Sequence, residues 1–148
     1  MNPHAATPLD AAGPALLAQA VQAAGAVCLR ALGGSMEPAI KPRDILVVAG
    51  CGIDDLALRD VVLYARDGRL FAHRLLGVEI RAGRRLLLTR GDAMWRADAP
   101  VDAADLLGRV VVVGRRGVFR RPPPCTPFAR ARGLIASECT ALRVRVRR

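Results

Sequence analysis

Ser35 stands in the stretch GGSMEPAIKPRD, Gly33 to Asp44. Two glycines precede it and two prolines follow, which gives a shaped, exposed turn that carries one hydroxyl. A serine hydroxyl becomes a useful nucleophile when a neighbouring base takes its proton. The chain offers few such bases: one lysine, Lys41, and two histidines, His4 and His73. Lys41 lies six residues after Ser35 on the same loop, poorly placed to approach it from the opposite side. His4 falls in an N-terminal stretch that is expected to be loose. His73 lies in LFAHRLLGV, where it alternates with Phe71 and Leu75 on one strand face. An apolar face of that kind can hold a neutral imidazole ready to accept a proton. A third group must orient the ring, and RGDAMWRADAP supplies Asp92 and Asp98. Taken singly, each residue has an ordinary use: a half-buried strand histidine, a turn aspartate after Gly91, a capping or solvated Asp98. As a set they spell acyl-transfer chemistry.

The elements that must position these residues are mostly strands. Ile45–Val48 and Val61–Tyr64 are short apolar runs, and Asp67-Gly68 between Tyr64 and Leu70 is a hairpin signal. Leu70–Ile80 returns as a longer strand, Arg81–Arg84 turns again, and Leu86–Thr89 and Val110–Val113 complete a strand-rich core. Before it, Leu17, Val21, Ala24 and Cys28 form a one-sided stripe that predicts a helix over Ala11–Leu29. After it, Pro122-Pro123-Pro124 reads as a stiff linker. The expected organisation is an N-terminal tail and amphipathic helix (1–30), a mainly β core (31–121) and an Arg-rich C-terminal appendage (122–148).

The formal net charge of the 148-residue chain is +10, and it is unevenly placed. From Arg115 onward there are ten arginines and one acid, Glu138, so this end supplies +9 and the remainder is nearly neutral. Such a tail suits an anionic membrane surface or an acidic partner. Aromatic residues make up 3% of the chain and are not interleaved with the basic tail, which argues against nucleic-acid base stacking. Cys28, Cys51, Cys125 and Cys139 are widely spaced with no C-x-x-C pair, so neither a zinc site nor any other metal or cofactor is expected, and buried free thiols are the default. The uncharged stretch Ala11–Leu29 has the length of a membrane span. Its Gly13, Pro14, Gln19, Gln22 and many alanines fit a soluble or surface-lying helix better. No basic residue precedes it as in a signal peptide. A cytoplasmic or peripherally membrane-associated protein is therefore expected.

In order, GGSMEPAIKPRDILVV, RDVVLYARDGRLFAHRLLGV, LLLTRGDAMWRAD and DLLGRVV resemble the catalytic core of type I signal peptidases and their relatives among the S24/S26 serine peptidases. The resemblance covers roughly residues 31–113. Bacterial signal peptidases and LexA-type repressors place a lysine on the strand where this chain has His73; the endoplasmic-reticulum and archaeal branch places histidine there. The resemblance implies a signal peptidase/LexA-like β domain and a serine endopeptidase in which Ser35 is the nucleophile, His73 the general base and Asp98 the residue that orients it, with Asp92 in a supporting role. It also implies an extended peptide or precursor protein as substrate, added as a strand along a sheet edge and cut after small residues. The Ser35 backbone N–H is then the main oxyanion donor, because Gly33 replaces a serine that assists in many relatives. Arg43 stands where the family usually has glycine, Ala93-Met94 replaces a polar pair, and the usual membrane anchor is reduced to an alanine-rich helix.

Two other readings use the same residues. A non-catalytic module could keep the fold and bind through its arginines. A self-cleaving, LexA-like regulator could cut the small-residue bond Ala24-Gly25, although that bond lies only ten residues before Ser35 and little chain precedes the core for a DNA-binding domain.

Overall fold

The computed structural model describes residues 12–124. His4, Cys125, Cys139 and the appendage from residue 125 onward lie outside the described residues. The chain is mainly β: helix α1 (Ala12–Ala24) is followed by β1 (Ala26–Arg30), β2 (Ile45–Ala49), β3 (Val61–Arg66), β4 (Arg69–Arg81), β5 (Arg84–Arg90), β6 (Val101–Asp102), β7 (Leu106–Arg115) and β8 (Val118–Arg120). All pair antiparallel in one sheet of order β1-β2-β7-β3-β4-β5-β6, with β8 on the far half of β7.

The hairpins follow from local chemistry. Asp67-Gly68, Ala82-Gly83 and Arg116-Gly117 all have φ between 49° and 80°, the backbone that a two-residue turn between twisted strands demands. The third of these joins β7 to β8, a strand that the apolar runs do not announce. The helix stops earlier than its stripe predicts. Gly25 takes φ 76° and its N–H bonds back to the Val21 carbonyl, which ends α1 at Ala24. Cys28 therefore sits on β1 rather than on the helix, and its thiol is exposed and free, not buried. Cys51 is free and half-buried. Within the helix, Val21 is buried and Leu17 packs on the sheet, so part of the stripe serves as expected. No helix among the described residues is long and apolar enough to cross a membrane.

β3 is buried on both faces, which places it at the centre of the core. Val61 and Leu63 join Met36, Ile40, Leu46 and Val48 in one apolar cluster. Val62 and Tyr64 join Leu75, Leu87 and Val101 in another. β4 changes partner along its length. Residues 69–74 pair with β3 and residues 74–81 with β5, across an irregularity between Leu75 and Gly77. His73 thus lies at the crossing, with β3 on one side and the end of β5 on the other. Among the described residues, 69–73 have no strand partner on the β5 side.

The loop from Ala31 to Asp44 is fixed at its end by charge. Arg115 on β7 donates through Nε and Nη2 to the two Asp44 carboxylate oxygens at 2.8 and 2.6 Å, and the Lys41 N–H donates to Oδ2. The Arg115 hydrogen bond is the chief reason that the Asp44 carboxyl is held below the usual range. Beside it, Arg43 takes φ 77° and its N–H bonds to the Ala31 carbonyl. This is the left-handed backbone that costs an L-residue about 1–2 kcal/mol and costs glycine far less. The arginine at this position is exposed and forms no side-chain ion pair among the described residues, so the strain is local. Arg43→Gly is expected to raise stability by about 1 kcal/mol, after allowance for the looser unfolded chain. Urea unfolding of the two proteins measures it, and a variant less stable than the parent contradicts this backbone assignment.

Candidate active site

Ser35, His73 and Asp98, far apart in sequence, form one hydrogen-bonded line. The Ser35 hydroxyl donates to His73 Nε2 at 2.9 Å, and His73 Nδ1–H donates to Asp98 Oδ2 at 2.7 Å. The carboxylate accepts and does not donate, so it fixes the proton on Nδ1 and leaves Nε2 free to take one from serine. His73 is 5% exposed, so water competes little for either nitrogen.

Asp98 is held by more than the histidine. Its backbone N–H bonds to the Thr89 carbonyl on β5 at 2.8 Å. Its Oδ2 also accepts from the Thr89 hydroxyl at 2.7 Å and the Tyr64 hydroxyl at 3.1 Å. Burial alone would raise this carboxyl, but the bonds from His73, Thr89 and Tyr64 outweigh it and leave it below its ordinary value. The Tyr64 hydroxyl is pushed up to about 12, chiefly by burial, so it remains a donor across the working pH range. Its ring stacks on Phe71 at 5.5 Å and meets His73 edge-on. Arg66, seated over that ring, donates to the Ala99 and Pro100 carbonyls and pins the loop just past Asp98.

Asp92 lies outside this line. It makes a buried, two-pronged ion pair with Arg74, Nε to Oδ1 at 3.1 Å and Nη2 to Oδ2 at 2.6 Å. The pair anchors the loop that presses on Ser35. The Ala93 N–H bonds to the Ser35 carbonyl at 2.9 Å, and a Cβ added to Gly91 would stand 2.5 Å from that same oxygen. Glycine at 91 is therefore a requirement of close approach, and Ser35 is clamped through its backbone. Gly33 faces open space: a Cβ there meets nothing within 4 Å. Lys41 takes part through its backbone, its N–H donating to the Asp44 carboxylate and its carbonyl accepting from the Asp44 N–H, and among the described residues no hydrogen bond links its side chain to Ser35.

The serine borders a cleft of about 410 Å³. Leu29–Gly33 form one wall and Arg69–His73 the other, with Ile40, Leu46 and Leu63 between them. Tyr64 and Thr89 were not singled out by spacing. The signal available was that both are hydroxyls inside apolar runs, VVLYA and LLLT, where a buried hydroxyl needs a partner. Among the described residues no group of three or more His, Cys, Asp or Glu could hold a metal ion. No model of a known protein family matches the chain, and no curated protein matches it.

Asp98 and Asp44 both carry carboxyls depressed in the folded state. Their stabilisation is present above the unfolded value, about 3.9, and is lost as pH falls through the lower folded values. Asp98→Asn is expected to lower stability at pH 7 by about 1–3 kcal/mol, with a gap that narrows below roughly pH 4. Denaturant unfolding from pH 3 to 7 checks this; a gap that widens in acid contradicts it.

Proposed function

We propose that this chain is a serine endopeptidase of the signal-peptidase-like S24/S26 type that cleaves an extended peptide or precursor protein after small residues. The observation that carries the proposal is the Ser35–His73–Asp98 line at the rim of an elongated cleft. The order of motifs in the chain supports the same family and its histidine branch.

In this reading a peptide lies in the cleft and adds main-chain hydrogen bonds to the unpaired edge of residues 69–73. Ser35 Oγ attacks the scissile carbonyl carbon while His73 Nε2 takes the hydroxyl proton. Asp98 fixes the imidazole and stabilises the cation that forms. The carbonyl oxygen, now negative, accepts from the Ser35 N–H. His73 then passes its proton to the departing amine as the C–N bond breaks, which leaves an acyl-serine. A water, deprotonated by His73, attacks that ester and frees the new carboxylate and Ser35. Tyr64 and Thr89 hold the Asp98 carboxylate still throughout. The clamp from Gly91 and Ala93 sets the position of Ser35. The open space around Gly33 accommodates a side chain like the assisting serine of many relatives, so its absence reflects a choice of residue and not a lack of room.

The test is cleavage of Ala-x-Ala peptides followed by mass spectrometry. The intact protein is expected to cut after a small residue, with activity that falls on acidification because a protonated imidazole cannot accept the serine proton. Ser35→Ala is expected to lower kcat/KM by about 10³-fold or more, and His73→Ala by a similar factor that does not add to it. Cleavage that survives in folded Ser35→Ala would sink the proposal.

A further inference from the structure

The cleft beside Ser35 has a one-signed charge. Its walls and floor are apolar apart from the serine, the histidine and two arginines, Arg30 on one wall and Arg69 on the other. Among the described residues no acid lines it. Both arginines are exposed, and neither takes part in any of the salt bridges among the described residues. Three neighbouring arginines are engaged: Arg66 on loop carbonyls, Arg74 on Asp92, Arg115 on Asp44. Asp67, the acid nearest in sequence to Arg69, sits in the hairpin turn beyond it and is not part of the cleft.

The two arginines line the same cleft. Arg69 precedes His73 by four positions on β4, about 13 Å at 3.3 Å per residue. Arg30 precedes Ser35 by five, at the end of β1. An extended peptide with its scissile bond at Ser35 that runs along β4 toward its start reaches Arg69 about four residues away, with Arg30 on the other wall of the same cleft. Guanidinium groups pair with carboxylates in a planar, two-pronged geometry, and the low-dielectric apolar walls weaken screening there.

The geometry points to a substrate that is apolar next to the cut and carries an acidic residue about three to five residues from it, held between Arg30 and Arg69. This specificity rests on the peptidase reading above and sharpens it.

The experiment uses the full chain and quenched fluorescent peptides with Ala-x-Ala at the cut. Glu, Gln or Lys is scanned over positions two to six on either side. The expected result is a kcat/KM ratio of Glu to Gln of about fivefold at one or two positions three to five residues from the cut, weaker in 0.5 M salt. In Arg30→Gln/Arg69→Gln the ratio is expected to fall to about one, and in Arg69→Glu the preference is expected to turn to Lys. Because each variant is judged by its ratio between peptides, partial loss of folded protein does not mimic the result. Cleavage with no charge preference, or a preference that survives in the double variant, overturns this inference and leaves the peptidase reading standing. No cleavage of any peptide by folded protein overturns both.

Discussion

The Arg74–Asp92 ion pair is the contact on which the site depends. Both residues are buried, at 4% and 3% exposure, so neither charge has water to fall back on, and removal of either partner leaves the other stranded at a cost of about 3–5 kcal/mol. Its position explains why such an arrangement is kept. Arg74 follows His73 on β4, so the strand that carries the imidazole also carries the guanidinium. Asp92 begins the loop whose backbone clamps Ser35 at one point and delivers Asp98 at another. Arg74 reaches further, to the carbonyls of Arg59 and Pro123, and thereby ties the turn before β3 and the chain's path after β8 to the same point. One side chain fixes the mutual position of four segments.

A division of labour follows. Asp92 carries the mechanical load and Asp98 faces the imidazole, although both are aspartates on one loop six residues apart. Their surroundings differ. Asp92 meets a guanidinium that satisfies it completely and leaves nothing for a reacting group. Asp98 meets three neutral donors, Tyr64, Thr89 and His73, which stabilise its charge without cancelling it. A carboxylate kept ionised by hydrogen bonds is what a histidine needs when it becomes an imidazolium. On the other flank, Asp44 and Arg115 close the serine loop onto β7 with a partly exposed pair, so Ser35 is braced from both ends.

What was legible in the sequence was whatever local chemistry decides. Asp67-Gly68 dictates its turn by backbone preference alone, and the apolar runs around it register as strands because they alternate or are fully apolar. Ser35 and His73 could be singled out because bases are scarce in this chain, and Asp92 and Asp98 because RGDAMWRAD follows the strand histidine in a motif order that resembles a known family. Tyr64 and Thr89 were missed because their role exists only through register: Tyr64 pairs with Phe71 and Thr89 with Leu75, two positions either side of His73, and no sequence spacing encodes that. The Arg74–Asp92 partnership, 18 residues apart, is invisible for the same reason. The end of α1 was misread because the stripe continues past Gly25, yet the glycine's left-handed backbone and the following Val27 favour a strand over another turn of helix. Tertiary pairing then recruited Ala26–Arg30 to the sheet edge, where it forms one wall of the cleft.

In the proposed reaction His73 and Asp98 activate Ser35 already in the free protein. The most direct measurement is covalent labelling with a fluorophosphonate, in which Ser35 Oγ displaces fluoride from phosphorus and His73 takes the proton. The account predicts one adduct by intact mass, located on Ser35 by peptide mapping, and loss of labelling in folded His73→Ala. An unlabelled Ser35 in folded protein, or labelling that is equally fast without His73, would contradict it.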